Sequence, residues 1–383
     1  MNTTHKTERS ASTRFRNAFF EGSLCFAVTL VAVCAIAESP SGAERRLRSD
    51  IRGCGVYQLS GYGDEFGALT NACLDGHKLM KWWSQLEPAE GQYDWSVIET
   101  PMNRWLAAGK RVMLSPVTAH SSRVNGFPAQ ATPDWVFRAG AKWVPLPSDG
   151  KDPIRVPVFW DPVYLEKYCA FIRALGKRFD DQKGIEIVYC GTGVYGETII
   201  SPELWGKKEH RLWGEAGLSP ENWTKAVNTV VDAYVAAFPK TLVGLQISGP
   251  GLDLQEKCTP AYARHAAEKG VLLQYDGVTA EPLKWSGPYF VDTVTRWSGV
   301  TSIGLEAYGP SSGSVPPTSG FKFEGGLKDL ADVAITHKAN YLLMWFQDAE
   351  KATAGATTYD PRWEEAIKRA AASFKPGPLG GSK

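Results

Sequence analysis

The sequence has little of what metal, nucleic-acid and dinucleotide-binding proteins usually carry. Its formal net charge at pH 7 is only +1 over 383 residues, so nothing indicates a nucleic acid or an acidic membrane surface as a partner. The six histidines and seven cysteines lack the spacing of a zinc site. No G-x-G-x-x-G motif follows the first predicted strand, which argues against a dinucleotide site. We therefore expect no metal and no cofactor.

Long apolar runs are also scarce, and the clearest one lies near the N-terminus at Leu24–Ala37. A basic segment through Arg16 precedes it, and an Ala-x-Ala sequence ends it, as in a secretory signal. The run is short for a transmembrane helix. We therefore predict a signal peptide over residues 1–37, a secreted or periplasmic protein, and no integral membrane domain after cleavage. A lipid anchor on Cys34 is the weaker alternative.

Five cysteines remain after this cleavage. Exported proteins often pair their cysteines as disulfides. Cys54–Cys73 and Cys169–Cys190 are the possible bridges, which leaves Cys258 over.

Aromatic residues, by contrast, are abundant, with 14 Trp and 14 Tyr. A tryptophan ring offers a flat platform for the C–H face of a sugar together with one N–H donor. The bland explanation is that a large core, which the 43% apolar share allows, buries many of these rings.

Strand-like and helix-like segments alternate from residue 51 to 376, after a polar linker over 38–50 and before a disordered tail over 377–383. The pattern forms eight βα units, and the strands are short and apolar, as strands buried on both faces should be. A single-domain (β/α)8 TIM barrel with long βα loops is the simplest arrangement. A doubly wound sheet is the alternative.

Two βα loops are long, at residues 118–160 and 199–217. The first is predicted to be irregular, and loops of this length in a compact domain are usually functional. Their tryptophans predict an extended sugar-binding cleft; these are Trp135, Trp143, Trp160, Trp205 and Trp213.

Two carboxyl groups follow buried strands. The stretch Ile185–Thr198 joins an apolar strand to a glycine-rich turn that delivers Glu197, and Glu306 ends the strand in T-S-I-G-L-E-A-Y-G. In a barrel, functional groups sit at the C-terminal ends of the strands. Glycoside cleavage needs one protonated and one ionised carboxyl group. We therefore predict Glu197 and Glu306 as the catalytic pair.

Further polar and aromatic residues lie near predicted strand ends and are expected to contact the substrate. They are Glu65, Lys81, Trp82, His120, Tyr195, Tyr275, Asp276, Tyr308, Trp345 and Asp348. Asp276, Asp348 and Glu65 are reserve candidates for the second catalytic carboxylate. A solvated surface position explains Lys81 equally well. A histidine whose ring nitrogens are hydrogen-bonded within the fold explains His120 equally well.

The segment Lys81–Pro116 resembles the second βαβ unit of glycoside hydrolases in the large (β/α)8 clan that includes the β-galactosidases. In that clan a W-S-x-x-E-P-x-x-G-x-Y-D-W motif precedes a helix and a G-K-x-V strand. Here residues 83–95 read W-S-Q-L-E-P-A-E-G-Q-Y-D-W. Within the motif, Glu87 is expected to anchor the loop before the helix.

The resemblance implies a retaining mechanism, with Glu197 as the acid/base and Glu306 as the nucleophile. It also implies that Trp345 forms the aromatic floor under the reacting sugar. Tyr275 falls where the clan often places a tyrosine that hydrogen-bonds the nucleophile.

The sequence also departs from the clan. Gly196 stands where the clan usually has an asparagine that binds the sugar 2-hydroxyl, and the G-x-x-G-E sequence is similar to the acid region of β-amylases, which invert. Three hypotheses follow for a protein whose partner is a polysaccharide or oligosaccharide. They are a retaining hydrolase, with transglycosylation as a further outcome, an inverting hydrolase with Glu197 as acid, and a barrel that binds glycan without cleaving it.

Overall fold

Short buried strands alternate with helices in the computed structural model. It describes residues 55–60, 63–121, 124, 126–146, 152–201, 207–249, 254–278, 287–310 and 326–374. The predicted signal peptide, linker and C-terminal tail lie outside these ranges.

Ten strands are present in the described residues, and nearly all of their side chains are buried. They are β1 (Gly55–Leu59), β2 (Gly76–Trp82), β3 (Arg111–Val117), β4 (Trp143–Leu146), β5 (Ile154–Pro157), β6 (Ile185–Tyr189), β7 (Leu242–Ile247), β8 (Leu272–Val278), β9 (Ile303–Ala307) and β10 (Tyr341–Trp345).

Eight of these strands form a closed barrel in the order β1-β10-β9-β8-β7-β6-β3-β2. Every neighbouring pair is parallel. Because parallel strands need a crossover connection, helices separate most of them along the chain. The predicted (β/α)8 TIM barrel is confirmed.

The helices of the described residues surround the barrel or fill its loops. They are α1 (Trp83–Leu86), α2 (Ser96–Ala107), α3 (Asp134–Arg138), α4 (Pro162–Phe179), α5 (Lys207–Glu215), α6 (Pro220–Ala237), α7 (Gln255–Glu268), α8 (Gly287–Thr295), α9 (Leu327–Thr336), α10 (Phe346–Lys351) and α11 (Pro361–Ser373). Within the described part of the chain, none of them has the length and apolarity to cross a bilayer.

Three long helices begin with the same local signal, a capping side chain followed by proline. Asp161, Ser219 and Asp360 each accept hydrogen bonds from N–H groups of the first turn of α4, α6 and α11. The proline comes next, where no N–H is needed and its fixed φ suits the helix. These starts were therefore predictable from the sequence.

The apolar core has two layers. One fills the barrel and includes Tyr57, Met113, Ile187 and Leu343. The other, much larger, packs between the barrel and the helices. The middle of the barrel also holds charged and amide side chains, unlike the branched apolar layers that are usual in this fold.

Two predicted loop structures differ from the observed ones. The sequence pattern of residues 64–73 predicts a short helix, but these residues form successive turns. In them the Asn71 side chain accepts from the N–H of Cys73 at 2.9 Å and donates to the Ala352 carbonyl at 2.9 Å. Turns closed by an asparagine side chain compete with a helix. The insert 118–160, predicted as irregular, contains α3 and the antiparallel β4–β5 hairpin.

The predicted Cys169–Cys190 disulfide is wrong, because the two residues are not bonded to each other. Cys169 faces Arg173 on its own helix, whereas Cys190 lies against Tyr168 and Tyr234. Neighbouring positions on a helix point about 100° apart, so the side of α4 that carries Tyr168 cannot also present Cys169.

The other predicted bridge has no support either. Cys73 and Cys258 are free thiols, and Cys54 lies outside the described residues.

The predicted tryptophan cleft is also wrong for most of its members. Trp135 and Trp213 are buried in the layer between barrel and helices, and Trp160 packs partly buried against the same layer. Trp143 is exposed on β4, and Trp205 lies outside the described residues. Rings used to seal the outer layer are not available to line a cleft.

Gly304 on β9 offers a test of the close packing inside the barrel. A Cβ there would lie 2.0 Å from the Tyr341 ring, so we expect Gly304→Ala to lower the free energy of unfolding by about 1–3 kcal/mol through overpacking. The measurement is urea unfolding.

The matched control is Gly214→Ala in α5, where a Cβ meets nothing within 4 Å. Alanine is the better helix former by about 0.5–1 kcal/mol, so this variant should be at least as stable as the wild type. Equal stability of the two variants would contradict the packing described for Gly304.

Candidate active site

The first candidate acid, Glu197, is presented by a tight loop after β6. Gly196 has φ +86°, a left-handed conformation that favours glycine. The loop is fixed to β7, because the N–H of Thr198 donates to the Gln246 carbonyl at 3.1 Å. Ser248 Oγ donates to Glu197 Oε2 at 2.5 Å. The carboxyl group of Glu197 is therefore held at the C-terminal end of the barrel.

The second candidate, Glu306, forms an ion pair inside the barrel. Lys78 Nζ lies 2.7 Å from Glu306 Oε2, and the Lys78 side chain is fully buried. Burial alone would lower the pKa of Lys78, but the charges of Glu306, Asp276 and Glu197 outweigh it and raise the pKa. Lys78 therefore supplies the positive charge that pairs with the carboxylate of Glu306.

An amide holds Glu306 from a second direction. Gln274 Nε2 donates to Glu306 Oε2 at 2.9 Å and also to Asp276 Oδ1. The Gln274 oxygen accepts from the hydroxyls of Tyr189, at 2.6 Å, and Tyr341. Since the oxygen is occupied by two donors, the amide nitrogen must face the carboxyl groups.

The environments of the two acids differ in the way that glycoside cleavage requires. Burial raises the pKa of Glu197 to about 8, and the negative charge of Glu306 adds to this effect. At neutral pH Glu197 is therefore protonated and able to donate a proton. Glu306 has its own cation in Lys78, which stabilises its negative charge.

An aromatic wall adjoins the loop of Glu197. His120 packs against Trp82, with ring centroids 5.4 Å apart, and against Tyr195, at 4.9 Å. Tyr195 shares a hydrogen bond with Ser121. These predicted contact residues are thus brought together, although Trp82 itself is buried.

Trp345 and Tyr308 flank the end of β9. Trp345 is partly buried, and its indole N–H donates to the Ala307 carbonyl at 2.9 Å, directly after Glu306. Tyr308 is 50% exposed. Both residues therefore lie at the strand end that carries Glu306.

Three predicted contact residues lie elsewhere. Lys81 Nζ pairs with Asp64 at 2.7 Å, and Glu65 lies close enough to Glu350 to raise its pKa. Asp348 is fully buried and accepts from the Trp363 indole N–H at 3.1 Å. Lys81 and Asp348 are thus bonded to side chains outside the Glu197–Glu306 pair, and Glu65 lies near a like charge.

The role implied for Tyr275 is not observed. Its ring stacks on Phe290 of α8, with centroids 5.5 Å apart, and the described donors to Glu306 are Lys78 and Gln274. Side chains alternate across a strand. Because Gln274 faces the barrel interior, Tyr275 faces the helices.

Sequence reasoning missed Lys78, Gln246 and Gln274, yet a signal was present. Lys78 shares the inward face of β2 with the predicted Trp82, since they are four residues apart, whereas Lys81 falls on the other face. A polar residue in an otherwise apolar strand indicates a hydrogen-bond network inside the barrel when it lies an even number of positions from a residue that faces the interior.

Glu87, the predicted loop anchor, is buried. It accepts from the Trp83 indole N–H at 2.7 Å and from the N–H of Gly91 at 2.8 Å. These contacts confirm its predicted structural role. In the described ranges, no group of three His, Cys, Asp or Glu side chains is arranged to hold a metal ion.

One protein-family model matches the chain. It is the β-galactosidase model of glycoside hydrolase family 42, and the match covers residues 80–193. It includes the tryptophan-rich motif at residues 83–95 and ends just before Glu197. No curated protein matches the chain.

Solved structures share the fold at low sequence identity. The β-amylase catalytic domain from Paenibacillus polymyxa has a TM-score of 0.60 and 12% identity, over 84% of this chain and 99% of that one. The β-galactosidase from Marinomonas ef1 has a TM-score of 0.53 and 10% identity, over 84% and 59%. The β-galactosidase from Halorubrum lacusprofundi has a TM-score of 0.53 and 14% identity, over 84% and 57%.

The chain thus spans less than two thirds of each of these β-galactosidase chains. The matched family segment and the barrel fold confirm the predicted resemblance to the (β/α)8-barrel glycoside hydrolases.

Proposed function

We propose that the protein is an exported hydrolase that cleaves a polysaccharide or oligosaccharide, with Glu197 as acid/base and Glu306 as nucleophile. The observation that carries the proposal is the contrast between the two acids. Burial raises the pKa of Glu197 to about 8, whereas Lys78 neutralises the charge of Glu306 at 2.7 Å. One protonated and one ionised carboxyl group whose charges interact are what glycoside cleavage uses.

The reaction proceeds in two steps. Glu306 attacks the anomeric carbon while Glu197 gives its proton to the departing glycosidic oxygen, so that a glycosyl ester forms and the leaving sugar departs as an alcohol. Glu197, now ionised, takes a proton from water, and that water displaces Glu306. Trp345 lies beside Glu306 and supports the sugar ring.

The negative charge moves between the two carboxyl groups during this cycle. Formation of the ester removes the charge from Glu306, and proton donation creates one on Glu197. Lys78 feels the charges of both residues, so one ammonium group balances the carboxylate charge at either position.

Retention and export are the finer parts of this proposal. Proton NMR of the first anomer released distinguishes a retaining from an inverting enzyme, because inversion gives the opposite anomer. N-terminal sequencing of protein recovered outside the cytoplasm tests the predicted cleavage after Ala37. An intact N-terminus on exported material would contradict the signal peptide.

Neutral substitutions should separate the catalytic pair from other acids. Glu197→Gln and Glu306→Gln are each expected to lower kcat by about 10²–10⁴-fold, because each removes a proton-transfer or nucleophilic group. The measurement is reducing-end release across a panel of glycans.

The control is Glu215→Gln, an exposed residue of α5, which should match the wild type. Survival of activity in Glu306→Gln would move the second role to another carboxylate. Glycan binding without turnover in the wild type would instead favour a non-catalytic barrel.

The pH dependence follows from the raised pKa of Glu197. Since the acid must be protonated, kcat/KM should fall as pH rises through about 8. Ser248 donates a hydrogen bond that lowers this pKa. Ser248→Ala should therefore move the alkaline limit to higher pH, and a downward shift would contradict the assignment.

Loss of Lys78 should harm both stability and activity. Lys78→Met leaves Glu306 buried without its cation, which typically costs about 3–5 kcal/mol. Lys81→Met, on the opposite face of the same strand, should cost less because its partner Asp64 is partly exposed. Chemical unfolding and kcat/KM measure the two effects.

The double variant Lys78→Met with Glu306→Gln makes this test specific. Removing both charges should recover much of the lost stability without restoring activity. Additive losses in the double variant would contradict the pairing.

A further inference from the structure

A third carboxyl group, Asp276, lies in the same network, and the mechanism above gives it no role. Gln274 donates through one nitrogen to both Asp276 and Glu306. The orientation of this amide is fixed by Tyr189 and Tyr341. Asp276 is thus held beside the proposed nucleophile, two residues nearer the C-terminal end of β8 than Gln274.

A second amide holds the other oxygen of Asp276. Gln246 Nε2 donates to Asp276 Oδ2 at 2.5 Å, and Gln246 Oε1 accepts from Ser115 Oγ at 3.0 Å. Both oxygens of Asp276 therefore have amide donors, and Asp276 is nearly buried. A cationic partner is missing from these contacts.

Titratable groups on several strands lie close enough to Asp276 to interact with its charge. They are Lys78 on β2, Tyr189 on β6, Glu197 after β6, Tyr275 on β8, Glu306 on β9 and Tyr341 on β10. Burial raises the pKa of these tyrosines, so they are uncharged at neutral pH. Lys78 is the single cation in this set, and it is bonded to Glu306.

One positive charge is therefore shared by three acids. The catalytic cycle proposed above already needs one negative charge, on Glu306 or on Glu197, and Lys78 balances it. A second carboxylate would leave an uncompensated charge in the barrel. Consistent with this, burial and then the charge of Glu306 raise the pKa of Asp276 well above its usual range, and Glu197 raises it further.

We propose that Asp276 is a neutral carboxylic acid in the working enzyme and donates its O–H hydrogen bond to a hydroxyl group of the reacting sugar. Its described contacts are with two amide N–H donors, so the acid proton is left for a hydroxyl group of the substrate. The inference rests on the proposed function, since it names how that site recognises its sugar.

Substitutions distinguish a neutral donor from a charged acceptor. Asp276→Asn keeps a neutral donor of the same shape. Its NH2 group can be accommodated if Gln246 turns over, because the Ser115 hydroxyl accepts as well as donates. We expect kcat/KM within about tenfold of the wild type for Asp276→Asn, and a loss of about 10²-fold or more for Asp276→Ala, which has no donor.

Removal of the sugar hydroxyl that accepts from Asp276 should lower activity in the same way as Asp276→Ala. One deoxy-sugar substrate, which lacks this hydroxyl, should therefore be cleaved equally poorly by the wild type and by Asp276→Ala. The proposal is overturned if Asp276→Asn loses as much activity as Asp276→Ala, since a carboxylate would then be required. It is also overturned if Asp276→Ala behaves as the wild type.

The charge of Asp276 is measurable without turnover. In a Glu197→Gln background, which removes the other protonated acid, infrared spectra at pH 7 should show the carbonyl band of a carboxylic acid. This band should vanish in Glu197→Gln with Asp276→Asn, and its absence from the first protein overturns the proposal.

If no glycan is cleaved, the proposed function fails and the inference is still testable. Calorimetric affinities for a bound glycan should then be similar for the wild type and Asp276→Asn and weaker for Asp276→Ala. Equal affinities of all three would overturn it.

Discussion

The buried ion pair between Lys78 and Glu306 is the interaction on which the centre of the barrel depends. Two ions taken out of water must be paired and hydrogen-bonded, or the fold loses several kcal/mol. Gln274 supplies the additional hydrogen bond, and Tyr189 and Tyr341 orient Gln274. These side chains occupy the interior layer that is apolar in most barrels, and together they hold the carboxylate of Glu306 in place.

The same ion pair also affects the second acid, Glu197. The charge of Glu306 contributes to the raised pKa of Glu197, so the same ion pair that fixes the proposed nucleophile helps to keep the proton on the proposed acid. The loop that carries Glu197 is rigidly attached to β7 through Thr198 and Ser248. One connected network of hydrogen bonds and charges therefore sets both the position and the protonation state of Glu197.

The aromatic residues divide between two tasks. Trp135 and Trp213 close the layer outside the barrel, and Trp83 packs there with the aromatic side chains of α4. Trp345 is different, since it lies at the C-terminal end of β10 beside Glu306. The abundance of tryptophan is therefore only indirect evidence for carbohydrate binding, because most of the described rings stabilise the fold.

The sequence by itself determined the barrel, and it predicted the two acids Glu197 and Glu306. Short apolar strands, proline-led helix starts such as Ser219-Pro220, and the glycine turn before Glu197 are local signals, and each depends on residues close together in the chain. The motif at residues 83–95 added the resemblance to glycoside hydrolases, which the family match supports.

Only the tertiary structure decided which side chains share the interior. Lys78 and Glu306 are 228 residues apart. Whether Lys78 or Lys81 faces inward depends on which side of β2 faces the barrel interior, and pairing with the neighbouring strands sets that orientation. For the same reason Gln274, and not the expected Tyr275, donates a hydrogen bond to Glu306. Charge pairing, and the proton affinities that follow from it, arise from distances between strands, which a linear sequence does not contain.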